Sequence, residues 1–320
     1  MTQREFKYYR LTIGKPLIVA PHFFSPRKSD KQRWIDMSKY YDTNKKNAYV
    51  LESRLDGECF AISFDCNRKS GTNAECSIDI HNLDDEITAY ILDHAEDDLV
   101  VKLEAGYQGE SRRIIEGTVT DAHDSWSRAT RTLSLVVVDS AVNKRDAYTV
   151  REYGKNTPID KIIKDCVSDM ALKTAVVTKP ETYPVTKVPV SYAGNPNDII
   201  KTLARQYKHV FTINDQHVYF TPEVKRIKSV VSYLSAGTGL IDNATRKKHR
   251  KNRKKRKDSD DNVTLRCQLD GSIYPDQSVW VKDNTIDTAL KVQKCRLTGS
   301  YPKGDWLCMI EGTPMEATIE

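Results

Sequence analysis

Residues 74–119 read AECSIDIHNLDDEITAYILDHAEDDLVVKLEAGYQGESRRIIEGTV, three strand-like stretches set around one short helical stretch. Cys76, Ile78 and Ile80 alternate with Ser77, Asp79 and His81, the period-two pattern of a half-buried strand. Asn82 breaks that pattern, and residues 84–92 read as a short helix. Leu99, Val101, Leu103 and Ala105 then share one face of a second strand. The segment Gly106-Tyr107-Gln108-Gly109 supplies turn residues, and residues 113–120 return as a third strand. A chain that spends its apolar residues this way must bury one face of an antiparallel sheet.

The middle of the chain changes period. Thr157 is placed to cap a helix opening on Pro158, and Ile159, Ile162, Ile163, Cys166, Val167 and Met170 make one stripe at spacings of three and four. A second amphipathic helix begins near Asn195 or Asn197, with Ile199, Ile200, Leu203, Ala204 and Tyr207 on its apolar face. Residues 188–192 alternate as a strand between the two helices. Residues 210–213 and 217–220 flank Asn214-Asp215-Gln216, a hairpin signal. Further strands are expected at 263–269, 278–281 and 289–295.

The ordered set of strand, Asn-Leu, short helix, strand, Ala-Gly-Tyr-x-Gly turn and Ile-x-Gly-x-Val strand resembles the first β-barrel of the baseplate (tail) hub proteins of tailed bacteriophages, the myophage hub family. Gly237-Thr238-Gly239-Leu240-Ile241 stands where that family opens its last group of strands, so the likeness spans residues 58–312. It implies an α+β, mostly β fold with two β-barrel-like modules around a small α+β domain: a first barrel at 1–145, the α+β domain at 146–230, and second barrel strands at 231–320. It further implies a homotrimeric virion protein at the tail baseplate, assembled in the host cytoplasm. There it joins a tail tube protein to a central spike protein, meets other baseplate proteins and lines the genome-ejection channel. Residues 23–50, polar and aromatic, stand outside the family pattern as an insertion.

The formal charge of +6 has one source. In 246–257, RKKHRKNRKKRK, ten of twelve residues are Lys or Arg, and subtracting those ten charges from +6 leaves −4 for the rest. The run has no aromatic to stack on a base and no apolar residue to bury, so it reads as a basic loop that is flexible in isolation. It is either a solvated insertion or a contact in the assembled particle. In the second case Arg246, Lys247, Lys248, Arg250, Lys251, Arg253, Lys254, Lys255, Arg256 and Lys257 face an acidic protein surface, or transiently the DNA in the pore. A nuclear-localisation match has the same composition, with no other feature to support it.

Signatures of chemistry are sparse. No H-E-x-x-H, G-x-S-x-G, Walker or dinucleotide-binding pattern occurs. Cys59, Cys66, Cys76 and His81 lack the paired close ligands of a zinc site. Acidic clusters at 84–86, 96–98 and 258–261 lack the alternating ligands of a calcium loop. No catalytic residue, cofactor or metal is expected, although a tail-associated cell-wall hydrolase and a nucleic-acid-binding module remain the rival functions. The seven cysteines, mostly inside predicted elements, read as free buried thiols. No apolar run is long enough to span a bilayer, and the first residues lack a signal-peptide core, so a cytoplasmic site of synthesis is expected.

Overall fold

The computed structural model describes residues 7–15, 48–53, 59–107, 110–172, 174–177, 185–214, 217–222, 230–248 and 261–315. Most of the expected insertion at 23–50, and the part of the basic run beyond Lys248, lie outside these residues.

The chain begins with β1 (Lys7–Gly14), β2 (Ala48–Glu52), β3 (Ala61–Lys69), β4 (Glu75–His81), α1 (Asp85–Asp93), β5 (Val100–Tyr107), β6 (Arg112–Ser127) and β7 (Thr130–Val138). In β4, Cys76, Ile78 and Ile80 are fully buried, and Leu99, Val101, Leu103 and Ala105 are buried along β5, as the alternation requires. The turn comes later than the glycines suggest. Gly106 and Tyr107 are still strand, and the Glu110 amide donates to the Tyr107 carbonyl at 2.8 Å. Gly106 is needed for close approach, because a Cβ there would sit 2.7 Å from the Glu110 carbonyl oxygen.

The middle region contains α2 (Ala141–Arg145), β8 (Thr149–Tyr153), α3 (Ile159–Asp169), β9 (Thr174–Val177), β10 (Val190–Gly194), α4 (Pro196–Tyr207), β11 (His209–Asn214) and β12 (His217–Pro222). Pro158 rather than Thr157 caps α3; the Thr157 hydroxyl instead donates to the Gly154 carbonyl at 2.8 Å. Asn195 caps α4 through its side chain, which accepts from the Asn197 amide at 2.9 Å. The strand expected at 188–192 is displaced to Val190–Gly194, where it pairs with β8, and Val188 is exposed. The apolar stripes of α3 and α4 close over Phe211, Ile213, Val218 and Phe220 in a separate core. Burying each such side chain contributes about 1.5–3 kcal/mol.

The C-terminal region adds β13 (Val230–Ser235), β14 (Thr245–Lys248), β15 (Asp261–Gln268), β16 (Ser278–Lys282), β17 (Asp287–Tyr301) and β18 (Trp306–Met315). These strands do not form a sheet of their own. β17 pairs β16 over Asp287–Lys291, passes a register shift between Val292 and Lys294, and then pairs β3 from Lys294 to Tyr301. One 13-stranded sheet results, in the order β14-β15-β18-β17-β3-β4-β7-β6-β5-β1-β2, with β16 beside β17 and β13 beside β16.

The expected barrels are therefore halves of one curled, mostly antiparallel sheet over a shared core. Among the described residues no backbone ladder closes it, since β14 and β2 each pair on one side. The curl is completed by side chains instead. Trp306 donates its indole N–H to the Gly106 carbonyl at 2.8 Å, and Tyr107 donates its hydroxyl hydrogen to the Trp306 carbonyl at 3.3 Å.

Candidate assembly interface

A sheet that ends in unpaired strands offers backbone donors and acceptors to a partner. In the large sheet such edges include the following. At one end stands β14, in register with β15 from Thr245↔Thr264 to Lys248↔Asp261. At the other stands β2, paired only to β1. β13 runs parallel to β16 and has no second neighbour. The fourth edge is on β6, whose ladder with β5 stops at Thr118, so that residues 121–127 pair β7 alone.

The basic run starts on the first of these edges. Arg246, Lys247 and Lys248 are strand residues of β14, not part of a free loop, and the Arg246 side chain is exposed. Arg250, Lys251, Arg253, Lys254, Lys255, Arg256 and Lys257 lie outside the described residues. The β6–β7 hairpin is a feature the sequence did not single out. Its tip carries Trp126, 66 % exposed, with the Arg131 guanidinium 5.6 Å from the ring centroid. Arg131 is held in turn by Asp124 at 2.9 Å and by Asp85 of the α1 end. Residues 120–131, TDAHDSWSRATR, have no apolar alternation by which a strand could be read.

Behind the edges, two buried polar clusters fix the geometry. Arg68 on β3 is 1 % exposed, and its guanidinium donates to the carbonyls of Gly271 (2.9 Å), Ile273 (2.7 Å), Arg113 (3.2 Å) and Ile114 (2.7 Å). The Tyr274 ring covers it at 3.9 Å. Segments distant in sequence, the β6 strand and the loop before β16, thus converge on one side chain. Beside it, Arg68, Arg113, Glu116, Asp139 and Tyr274 line a recess with about 10 Å³ of space, room for a water molecule and not for a substrate.

The second cluster docks the α+β core. Ser70 donates to Asp276 at 2.8 Å, Thr212 donates to the same carboxylate at 3.2 Å, and the Gly71 amide donates to the Thr212 hydroxyl at 2.7 Å. Lys291 lies 3.5 Å from Asp276. Nearby, Lys144 of α2 donates to Asn73, and Asn195 donates to the Lys144 carbonyl at 2.6 Å. Burial, reinforced by the like charge of Lys201, lowers the Lys144 pKa to about 8.

Among the described residues no group of three His, Cys, Asp or Glu side chains could hold a metal ion. No helix of the described residues is long and apolar enough to cross a membrane.

No protein-family model matches the chain, and no curated protein does. Solved structures do. The 43 kDa tail protein of prophage MuSo2 from Shewanella oneidensis superposes with a TM-score of 0.57 at 11% identity, covering 83% of this chain and 94% of that one. An E. coli component of the type VI secretion system, described as structurally similar to T4 bacteriophage tail proteins gp27 and gp5, matches with a TM-score of 0.55 at 9% identity, over 82% of this chain and 76% of that one. A chain of the Francisella PdpA-VgrG complex matches with a TM-score of 0.55 at 9% identity, covering 99% of this chain and 60% of that one. Identities this low establish shape alone. The chain shares the fold of these phage-tail and type VI secretion proteins.

Proposed function

We propose that this protein is a structural subunit of a phage-type tail, a baseplate hub that forms a homotrimer between the tail tube and the central spike and lines the channel through which the genome leaves. The observation that supports this most is the extent of the fold match, which covers 83% of this chain and 94% of a prophage tail protein. In this reading residues 1–145 and 231–320 supply the two strand modules and 146–230 the intervening α+β module. A trimer whose subunits each carry two similar modules presents six quasi-equivalent contacts, which is how a three-fold spike can meet a six-fold tube. The edge strands supply the contacts: β14 with its basic residues faces an acidic surface of a neighbouring protein, and the β6–β7 hairpin carries Trp126 outward. A contact with DNA in the pore would be transient, because a tight grip would retard ejection.

The role is structural, with no substrate turned over. Light scattering on the purified chain, alone and with its tube and spike partners, tests it. A trimer in either condition supports the hub assignment, and a stable dimer or tetramer overturns it. Clearing of cell walls by the purified protein would support the hydrolase reading in its place.

A further inference from the structure

We propose that Cys295 and Cys308 form an oxidisable thiol pair, a modification site at which the protein takes up a disulfide between adjacent strands β17 and β18. Their sulfur atoms lie 3.1 Å apart, about 1 Å beyond the ~2.05 Å of a disulfide bond, and both side chains are fully buried. The register places Cys295 opposite Ile310 and Cys308 opposite Leu297, so the two cysteines are diagonal neighbours. The register shift between Val292 and Lys294 falls just before Cys295, where β17 exchanges β16 for β3. Shifts of this kind bend and twist a strand locally, which accounts for a diagonal pair coming within reach.

Two other pairings compete. Cys267 on β15 stands directly opposite Cys308. Cys66 and Cys76 face each other across β3 and β4 with their thiols in contact, and each also lies near a carbonyl, Cys66 donating toward Ile114 at 3.6 Å and Cys76 toward Ser77 at 3.7 Å. The Cys308 thiol touches both Cys267 and Cys295, and the Cys295 sulfur stands 3.1 Å from it.

Hydrogen bonding to the Cys267 and Cys295 thiols, with burial, holds the Cys308 thiol protonated, so the folded pair is slow to react. Reaction follows opening of the β17–β18 hairpin. With an azo oxidant such as diamide, one thiolate adds to the N=N bond. The second thiolate attacks that sulfur and expels the hydrazine, so the azo compound takes two electrons and two protons while one S–S bond forms.

The test uses the full chain, folded by circular dichroism, treated with diamide, quenched with an alkylating reagent and digested without reduction. The expected result is a Cys295–Cys308 cross-linked peptide, an intact mass about 2 Da lower for the two hydrogens lost, and a rate that becomes independent of diamide concentration as opening limits it. Cys267→Ala should lose the same mass. A folded chain that loses no mass, a Cys267–Cys308 or Cys66–Cys76 bridge in place of the expected one, or abolition of the reaction by Cys267→Ala would each overturn the assignment.

Discussion

Thr212 donates its hydroxyl hydrogen to the buried carboxylate of Asp276 at 3.2 Å, across 64 residues of sequence. Because Ser70 donates to the same carboxylate, one side chain holds together the first strands, the α+β core and the last strands. Asp276→Ala should leave both hydroxyls and the Lys291 ammonium without their acceptor. It should cost about 1–3 kcal/mol for the stranded donors. Urea unfolding measures the loss, and a cost below 0.5 kcal/mol, roughly what a neutral surface change gives, would show that the three regions are held mainly by other contacts.

Arg68 is the more demanding position. Its replacement by Met fills most of the volume but takes the guanidinium donors from four carbonyls, so a loss of about 3–5 kcal/mol is expected. Arg68→Lys should recover only a part, because an ammonium cannot reach four acceptors in the plane of a guanidinium. Equal stability of the Lys variant and the parent would contradict this.

Stability should depend on pH through Lys144. Its folded pKa is lowered from 10.5 to about 8, so between those values the unfolded chain holds the proton that the folded chain has released. Stability therefore rises as pH increases from about 8 toward 10.5, and below that window the penalty of the buried charge is constant. Thermal melts across this range, compared with Lys144→Met, should show a slope in the parent that is reduced in the variant. The groups around the ammonium are Asn73, Asp139, Asp198, Lys201 and the Phe211 ring.

Gly299 on β17 lies opposite Phe64 on β3, and a Cβ there would come within 2.3 Å of the Phe64 ring and 2.8 Å of Trp306. Gly299→Ala should push apart the edge-to-face pair that Phe64 and Trp306 make at 5.4 Å. About 1–3 kcal/mol of overpacking is expected. A gain in melting temperature would mean that the ring has room to turn.

The basic edge needs a charge test in place of a deletion, because removing residues 246–257 would take most of β14 with it. Arg246→Ser, Lys247→Ser and Lys248→Ser together should leave the melting temperature of the purified chain unchanged while lowering the yield of complete tails. If the triple variant instead aggregates with tail yield unaltered, the charges serve to keep an edge strand from pairing with its own kind, a common use of Lys at sheet edges.

Local pattern made much of this fold legible. Alternation at Cys76, Ile78 and Ile80 and the three-four spacing from Ile159 to Met170 each report a one-sided burial that any context would preserve. What alternation cannot report is which strand lies beside which. The β3–β17 ladder pairs Lys69 with Lys294 and Ile62 with Tyr301, and nothing in either segment names the other. Arg68 was invisible for a related reason: it continues the inward phase of Ile62, Phe64 and Cys66, but nothing in the sequence points to the Gly271 and Ile273 carbonyls that receive its guanidinium. The hairpin tip at Trp126 escaped because its strands are solvated on both faces and so carry no apolar period.

The β3–β17 pairing also sets a schedule for biosynthesis. When β3 and β4 emerge from the ribosome, the strand that will cover their outer edge is still more than 200 residues from being made. At about 5–20 residues per second the nascent sheet waits roughly 10–50 s with an open edge and with Arg68 deprived of two of its acceptors. A premature stop anywhere before β17 leaves that edge permanently available. Truncated chains should therefore stick to one another and to chaperones.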